Sequence, residues 1–150
     1  MAFNEDTLVQ QTTADYLHDK LGWRSVYAFN METFGPEGTL GRKSEKEVVL
    51  VRILGEWLVK LNPGLPDVAY QDAIRKIVEV AAGQGTMATN QEKYLMLRDG
   101  VKVEFRKPDG SIDAKTLRVF DFDNPEANDF LVVRELWVKG DLYRKRPDLI

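Results

Sequence analysis

The sequence has no cysteine and a single histidine, His18, in its 150 residues. Without cysteine there is no disulfide framework and no thiolate metal site. One histidine excludes a multi-histidine zinc centre and argues against a Ser-His-Asp triad. No apolar run reaches the ~18 residues of a membrane-spanning helix. The opening residues, Met1 to Asp6, are too acidic and polar for a signal peptide. The expectation is a cytoplasmic protein with no membrane partner. A charge excess is missing too: 21 Lys and Arg stand against 24 Asp and Glu, a net charge of −3. Proteins that coat nucleic acid non-specifically carry a large basic excess, so any contact with nucleic acid must come from a local patch. One such patch is Lys139, Arg144, Lys145 and Arg146, ahead of Pro147-Asp148. Any chemistry must be built from carboxylates, lysines and hydroxyls.

The composition, 43% hydrophobic and 30% charged, fits one globular domain with a buried core. The first half reads as helical. Leu8, Val9, Thr12, Tyr16, Leu17 and Leu21 recur at helical spacing over residues 5–21, and Gly22 stops the helix. Residues 23–29 read as a strand, and 31–41 as a glycine-punctuated loop. Ser44-Glu-Lys-Glu47 reads as a capping box that opens a second helix with a stripe of Leu50, Val51, Leu54, Trp57, Leu58 and Leu61. Residues 67–81 predict a third helix, and 90–98 a short fourth. The second half then alternates with period two. Val101, Val103 and Phe105 lead into the turn Lys107-Pro-Asp-Gly110, and residues 112–120 return from it. Residues 129–138 read as one long strand and 142–150 as a last one paired with it. Helices followed by an antiparallel meander predict an α/β or α+β layer.

Several candidate sites fall on their spacing. Residues 35–44 imitate a phosphate loop, but Pro36 stands where the first glycine belongs and Arg42 where the lysine belongs. Arg42 and Lys43 remain able to touch a phosphate at a helix entry. The oxygen-rich run Asp121 to Asp129 fails as a calcium loop, with Glu126 at the glycine position and Val132 at the glutamate position. It reads instead as a turn in which Asp and Asn bond to the backbone. His18 reads as solvated.

A metal-dependent nuclease needs a carboxylate on one strand and Glu-x-Lys or Asp-x-Lys on its neighbour. Asp109 with Asp113-Ala-Lys115 has those letters, but Asp109 lies in the hairpin turn, ~13 Å along the chain from Asp113. Asp148 is better placed, after the basic residues Arg144, Lys145 and Arg146 that suit a phosphodiester. Glu5 shares a helical face with Val9, Thr12 and Tyr16, which predicts a position near the buried side. The competing reading is a first-turn acid that complements the helix dipole.

The run from Asn128 to Ile150, with Trp137, Lys139 and Arg146-Pro-Asp148 in it, resembles the N-terminal region of the R subunit of type I restriction enzymes. Residues 40–50, 61–66, 97–103 and 121–125 fit the same family in order. The resemblance implies a PD-(D/E)xK nuclease fold, a mixed sheet flanked by helices, that cuts double-stranded DNA with Mg²⁺. It implies that Asp148 is a catalytic metal ligand and that Glu5 matches the acid on the first helix. The full subunit works with methylase and specificity subunits and carries an ATP-driven motor. Here the Glu-x-Lys half and the motor are missing. The expectation is therefore a single domain incomplete at its C-terminus, inactive as a nuclease by itself. The alternative is a non-catalytic module that docks on DNA or partner subunits through Arg144, Lys145 and Arg146.

Overall fold

The computed structural model describes residues 6–150. The chain forms two compact units, one from the residues up to Arg52 together with Asp129–Ile150, the other from Ile53–Asn128.

In the first unit a π-helical stretch, Asp6–Gln11, runs into α1 (Thr12–Leu21). Gly22, with φ +71°, ends the helix, and its N–H donates to the His18 carbonyl at 3.0 Å. His18 is exposed, and its Nδ1 donates to the Trp23 carbonyl at 2.7 Å. The predicted inward face is not the buried one. Leu8, Val9, Tyr16 and Leu21 are all more than half exposed, whereas Gln10 and Ala14 are buried. A π-turn holds more residues per turn than an α-helix, so a 3.6-residue projection loses phase across Asp6–Gln11. The small Ala14 brings α1 close to the strands β1 (Arg24–Tyr27) and β4 (Leu131–Arg134).

β1 and β4 pair in parallel, with Arg24 opposite Leu131 and Tyr27 opposite Arg134. Such a pair requires a long crossover, here most of the chain; the antiparallel pairings expected in the second half are present, but in separate two-stranded sheets instead of one continuous meander. Arg24 fixes the entry to β4 through a bidentate pair with Asp129 at 2.9 and 2.6 Å. The long strand expected over 129–138 is broken. β4 stops at Arg134 because Glu135 adopts φ +57°, and a short β5 (Val138–Lys139) follows. The last segment pairs antiparallel in pieces: β6 (Arg144–Lys145) with β5, and Leu149 with Arg134 in an isolated bridge. The buried cluster of this unit is Ala28, Leu40, Val133 and Leu136.

Residues 44–50 form an irregular segment with a turn at 45–46, and α2 starts only at Val51. Glu47 does reach back, accepting the Lys43 N–H at 2.6 Å, but no helix follows directly. Arg42, expected to be free for a phosphate, is 1% exposed and takes Glu32 in a bidentate grip at 2.8 and 2.5 Å. It also donates to the Glu47 and Trp137 carbonyls. A guanidinium that is buried and already bonded through four of its five N–H groups is closed to a ligand from solvent, which overturns that expectation for Arg42.

The second unit contains α2 (Val51–Leu61) beyond Arg52, then α3 (Asp67–Val78), α4 (Thr86–Asp99), β2 (Val101–Arg106) and β3 (Ile112–Leu117). Leu58, Ala69, Tyr70, Ala73, Val101, Val103, Leu117 and Val119 form its core. The period-two and period-3.6 patterns meet here: one side of the hairpin and one stripe of α3 face each other. Gly100 (φ +89°) joins α4 to β2, and a Cβ there would sit 2.6 Å from the Leu117 carbonyl, so only glycine fits. The hairpin turn is held by Asp109, which accepts from the Ser111 N–H and hydroxyl at 2.9 and 2.6 Å. In residues 121–128 the Asp121 carboxylate accepts the Asp123 and Asn124 N–H groups, and Asn128 bonds the Asp121 backbone on both sides. This is the backbone-bonded turn predicted for that run.

Candidate nuclease half-site

Asp148 is exposed and lies beside the end of β4. Val133 and Ile150 exchange two backbone bonds at 2.9 and 3.0 Å, and the Glu135 N–H donates to the Asp148 carbonyl at 3.1 Å. The backbone of Asp148 is therefore fixed while its carboxylate stays in solvent. Glu5 lies outside the described residues. The neighbours that argued for an inward Glu5 do not support it, since Val9, Thr12 and Tyr16 are exposed.

Of the three basic residues ahead of Asp148, two are already engaged. Arg144 holds Glu45 at 2.7 and 2.6 Å, and its guanidinium carbon lies 3.6 Å from the centre of the Trp137 ring. Arg146 meets Glu135 at 2.5 Å and stacks over Phe29 at 4.3 Å and Trp137 at 5.2 Å. Residues two apart on an extended strand share a face, so both guanidinium planes reach the same tryptophan. Lys145 points away, 5.9 Å from the Tyr143 ring. This ladder aligns the segment that carries Asp148.

Glu135 is the residue the sequence reading missed. It is 7% exposed, adopts a left-handed backbone, donates its N–H to Asp148 and pairs with Arg146. A non-glycine residue in that conformation is uncommon and often belongs to a functional region. The available signal was Arg134-Glu135, a charged pair that interrupts an apolar run.

The Arg144 hydrogen bond to Glu45 holds that carboxyl below its ordinary 4.5, against the opposing effect of burial, and raises the pKa of Arg144. A depressed acid contributes stability above its unfolded pKa, and that contribution is lost as pH falls through the folded value. Glu45→Gln is accordingly expected to flatten the decline in thermal stability just below pH 4.5. An acid limb identical in the two proteins would show that the pair does not report on folding.

Mg²⁺ takes near-octahedral oxygen coordination, supplied by one or two carboxylates with water and substrate oxygens. Among the described residues no group of three His, Cys, Asp or Glu is arranged to hold a metal, and Asp148 supplies one carboxylate. The described residues thus do not fit a complete metal centre. Asp113-Lys115 does not supply the missing half, since Asp113 pairs with Lys107 at 3.3 Å on the far side of the hairpin turn from Asp109.

Among the described residues no helix is long and apolar enough to cross a membrane. No curated protein and no solved structure matches the chain. The model of one family, the type I restriction enzyme R protein N terminus, matches residues 2–150. With that span, and with mixed helices and strands in the structure, the chain belongs to the family of type I restriction enzyme R protein N termini.

Proposed function

We propose that the chain is the front part of a PD-(D/E)xK nuclease domain, and that Asp148 is the first carboxylate of its metal site. The observation that carries the reading is the family match over residues 2–150, which takes in Arg146-Pro-Asp148. The fixed backbone and solvent-facing carboxylate of Asp148 are compatible with it. Glu5 is proposed as a second acid of the site. Bound Mg²⁺ would polarise the scissile phosphodiester and lower the pKa of an attacking water. It would be held only with carboxylates outside the described residues. The substrate is double-stranded DNA, in a cytoplasmic complex with methylase and specificity subunits and an ATP-driven motor.

The 150 residues contain no Glu-x-Lys, and their one Asp-x-Lys is tied into the hairpin. The chain alone is therefore expected to leave supercoiled plasmid intact in Mg²⁺. Metal-dependent nicking abolished by Asp148→Ala would overturn the inactivity of the chain. In a longer R protein containing this chain, Asp148→Ala is expected to abolish cleavage. Cleavage that persists removes Asp148 from the site.

A further inference from the structure

We propose that Arg134, held against the Tyr27 ring at the carboxyl ends of β1 and β4, is a phosphate-contacting residue of the first unit. The inference rests on DNA being the substrate, as proposed above, and names a residue that would hold its backbone. Tyr27 and Arg134 are the last residues of the two strands and are partners in the parallel register. In open α/β sheets, ligands bind outside the carboxyl ends of the parallel strands. The backbone beyond both ends is unusual here. Asn30, with φ +52°, and Glu135, with φ +57°, are the two non-glycine residues of positive φ among the described residues. The first follows the end of β1 within one turn, and the second follows Arg134 directly. Such conformations collect at binding sites.

The guanidinium itself carries the inference. Its carbon lies 4.7 Å from the centre of the Tyr27 ring, and Tyr27 is 41% exposed, so the pair is reachable from solvent. The Arg134 Nε–H is buried and has no acceptor. Among the described residues its terminal nitrogens make no hydrogen bond or ion pair either. The other five arginines of this unit are all engaged. Arg24, Arg42, Arg144 and Arg146 hold carboxylates, and Arg52 donates to the Pro36 and Gly38 carbonyls. Glu135, next to Arg134 in sequence, pairs with Arg146 instead. Burying a polar N–H without an acceptor is costly, and native proteins leave few such groups. A ligand that brings the acceptor removes that cost.

The chemistry and the place select the ligand. A guanidinium backed by a ring presents paired N–H groups, which match two oxygens of one oxyanion. On the other side of β4, Arg134 bridges to Leu149, the residue after Asp148. The contact therefore borders the segment that carries Asp148, and a nucleic acid engaged there supplies further phosphates. Successive residues of an extended segment face opposite ways, so Asp148 and Leu149 do not share a face. Arg134 thus holds a different phosphate from the one at Asp148. It positions the backbone without reading sequence.

The test uses the 150-residue chain and a fluorescein-labelled duplex of ~20 base pairs without metal, with binding followed by anisotropy over a range of salt. Arg134→Gln is expected to weaken binding about tenfold at low salt and to reduce the slope of log affinity against log salt by about one. Arg134→Lys keeps the charge but loses the paired N–H groups, and should bind several-fold more weakly than wild type. Tyr27→Ala should behave like Arg134→Gln, whereas Tyr27→Phe, which keeps the ring, should bind close to wild type. Far-UV circular dichroism identical to wild type checks that the variants are folded. A second readout needs no substitution: the Arg134 Nε–H resonance of the wild-type chain should shift on titration with duplex. Inorganic phosphate at higher concentration should shift it the same way. A shift with phosphate and none with duplex overturns the DNA contact. So does a wild-type chain that does not bind duplex, Arg134→Lys that binds as tightly as wild type, or poly-glutamate competing as well as duplex at equal charge. Asp148→Asn is expected to leave this binding unchanged. The Arg134 contact can then fail while the Asp148 reading stands, and cleavage by the longer R protein tests that reading separately.

Discussion

Arg42→Ala is expected to destabilise the protein by roughly 3–5 kcal/mol, read as a fall in the urea midpoint at unchanged slope. The Arg42 and Glu32 side chains are 0% and 6% exposed, so removing the guanidinium leaves Glu32 a buried charge with no counter-ion. The Glu47 and Trp137 carbonyls each lose a charged donor as well. Leaving a buried acceptor unpaired costs more than the net worth of the bond that satisfied it. The double replacement Arg42→Met with Glu32→Leu removes both charges and should recover much of the loss, because apolar pairs of similar volume substitute well for buried ion pairs. Recovery stays incomplete, since methionine donates nothing to the two carbonyls. A single-variant loss below about 1 kcal/mol, the scale of an exposed pair, would show that the guanidinium is not desolvated.

Leu58→Ala is the second large effect, expected at about 2–5 kcal/mol. Leu58 is fully buried among Ala69, Tyr70, Ala73, Val101 and Leu117. Three of these neighbours sit on α3, whose main chain cannot collapse into the space without breaking its own helix bonds. The cavity therefore persists, and the cost lies above the transfer free energy of the lost methyl and methylene groups. Val59→Ala, next in sequence and 48% exposed, should cost less than about 1 kcal/mol. Equal losses at the two positions would contradict the inward orientation of Leu58. Trp57, whose indole N–H donates to the Val119 carbonyl at 2.8 Å, reports unfolding of this unit.

The helices and the hairpin were legible because each carries its own periodicity and its own punctuation. Gly22 ends α1 as read, and α2 and α4 end at Leu61 and Asp99, at or next to the last residues read as helical. Lys107 to Gly110 makes the turn by local Asp109 bonding, which needs no distant partner. Asp148 was legible only through the family motif, since one carboxylate after a basic run has no spacing of its own to identify it.

What failed depended on contacts far apart in the chain. Arg42 looked free because nothing near it in sequence announces Glu32 or the Trp137 carbonyl as partners. Residues 129–138 read as one strand because Phe130, Leu131, Val132, Val133, Leu136, Trp137 and Val138 all suit one. The break at Glu135 comes from the pairing of Asp148 and Arg146 with it across the fold. The buried side of α1 shifted because a π-turn changes the phase that a 3.6-residue count assumes. By itself the sequence determined where most helices and the hairpin lie, the exclusion of thiolate and multi-histidine chemistry, and the family. The tertiary structure alone decided which charges are spent on one another, as Arg42 is on Glu32 and Arg144 on Glu45. Local propensity acts over a few residues, whereas burial and charge pairing act between residues that meet only when the chain has folded.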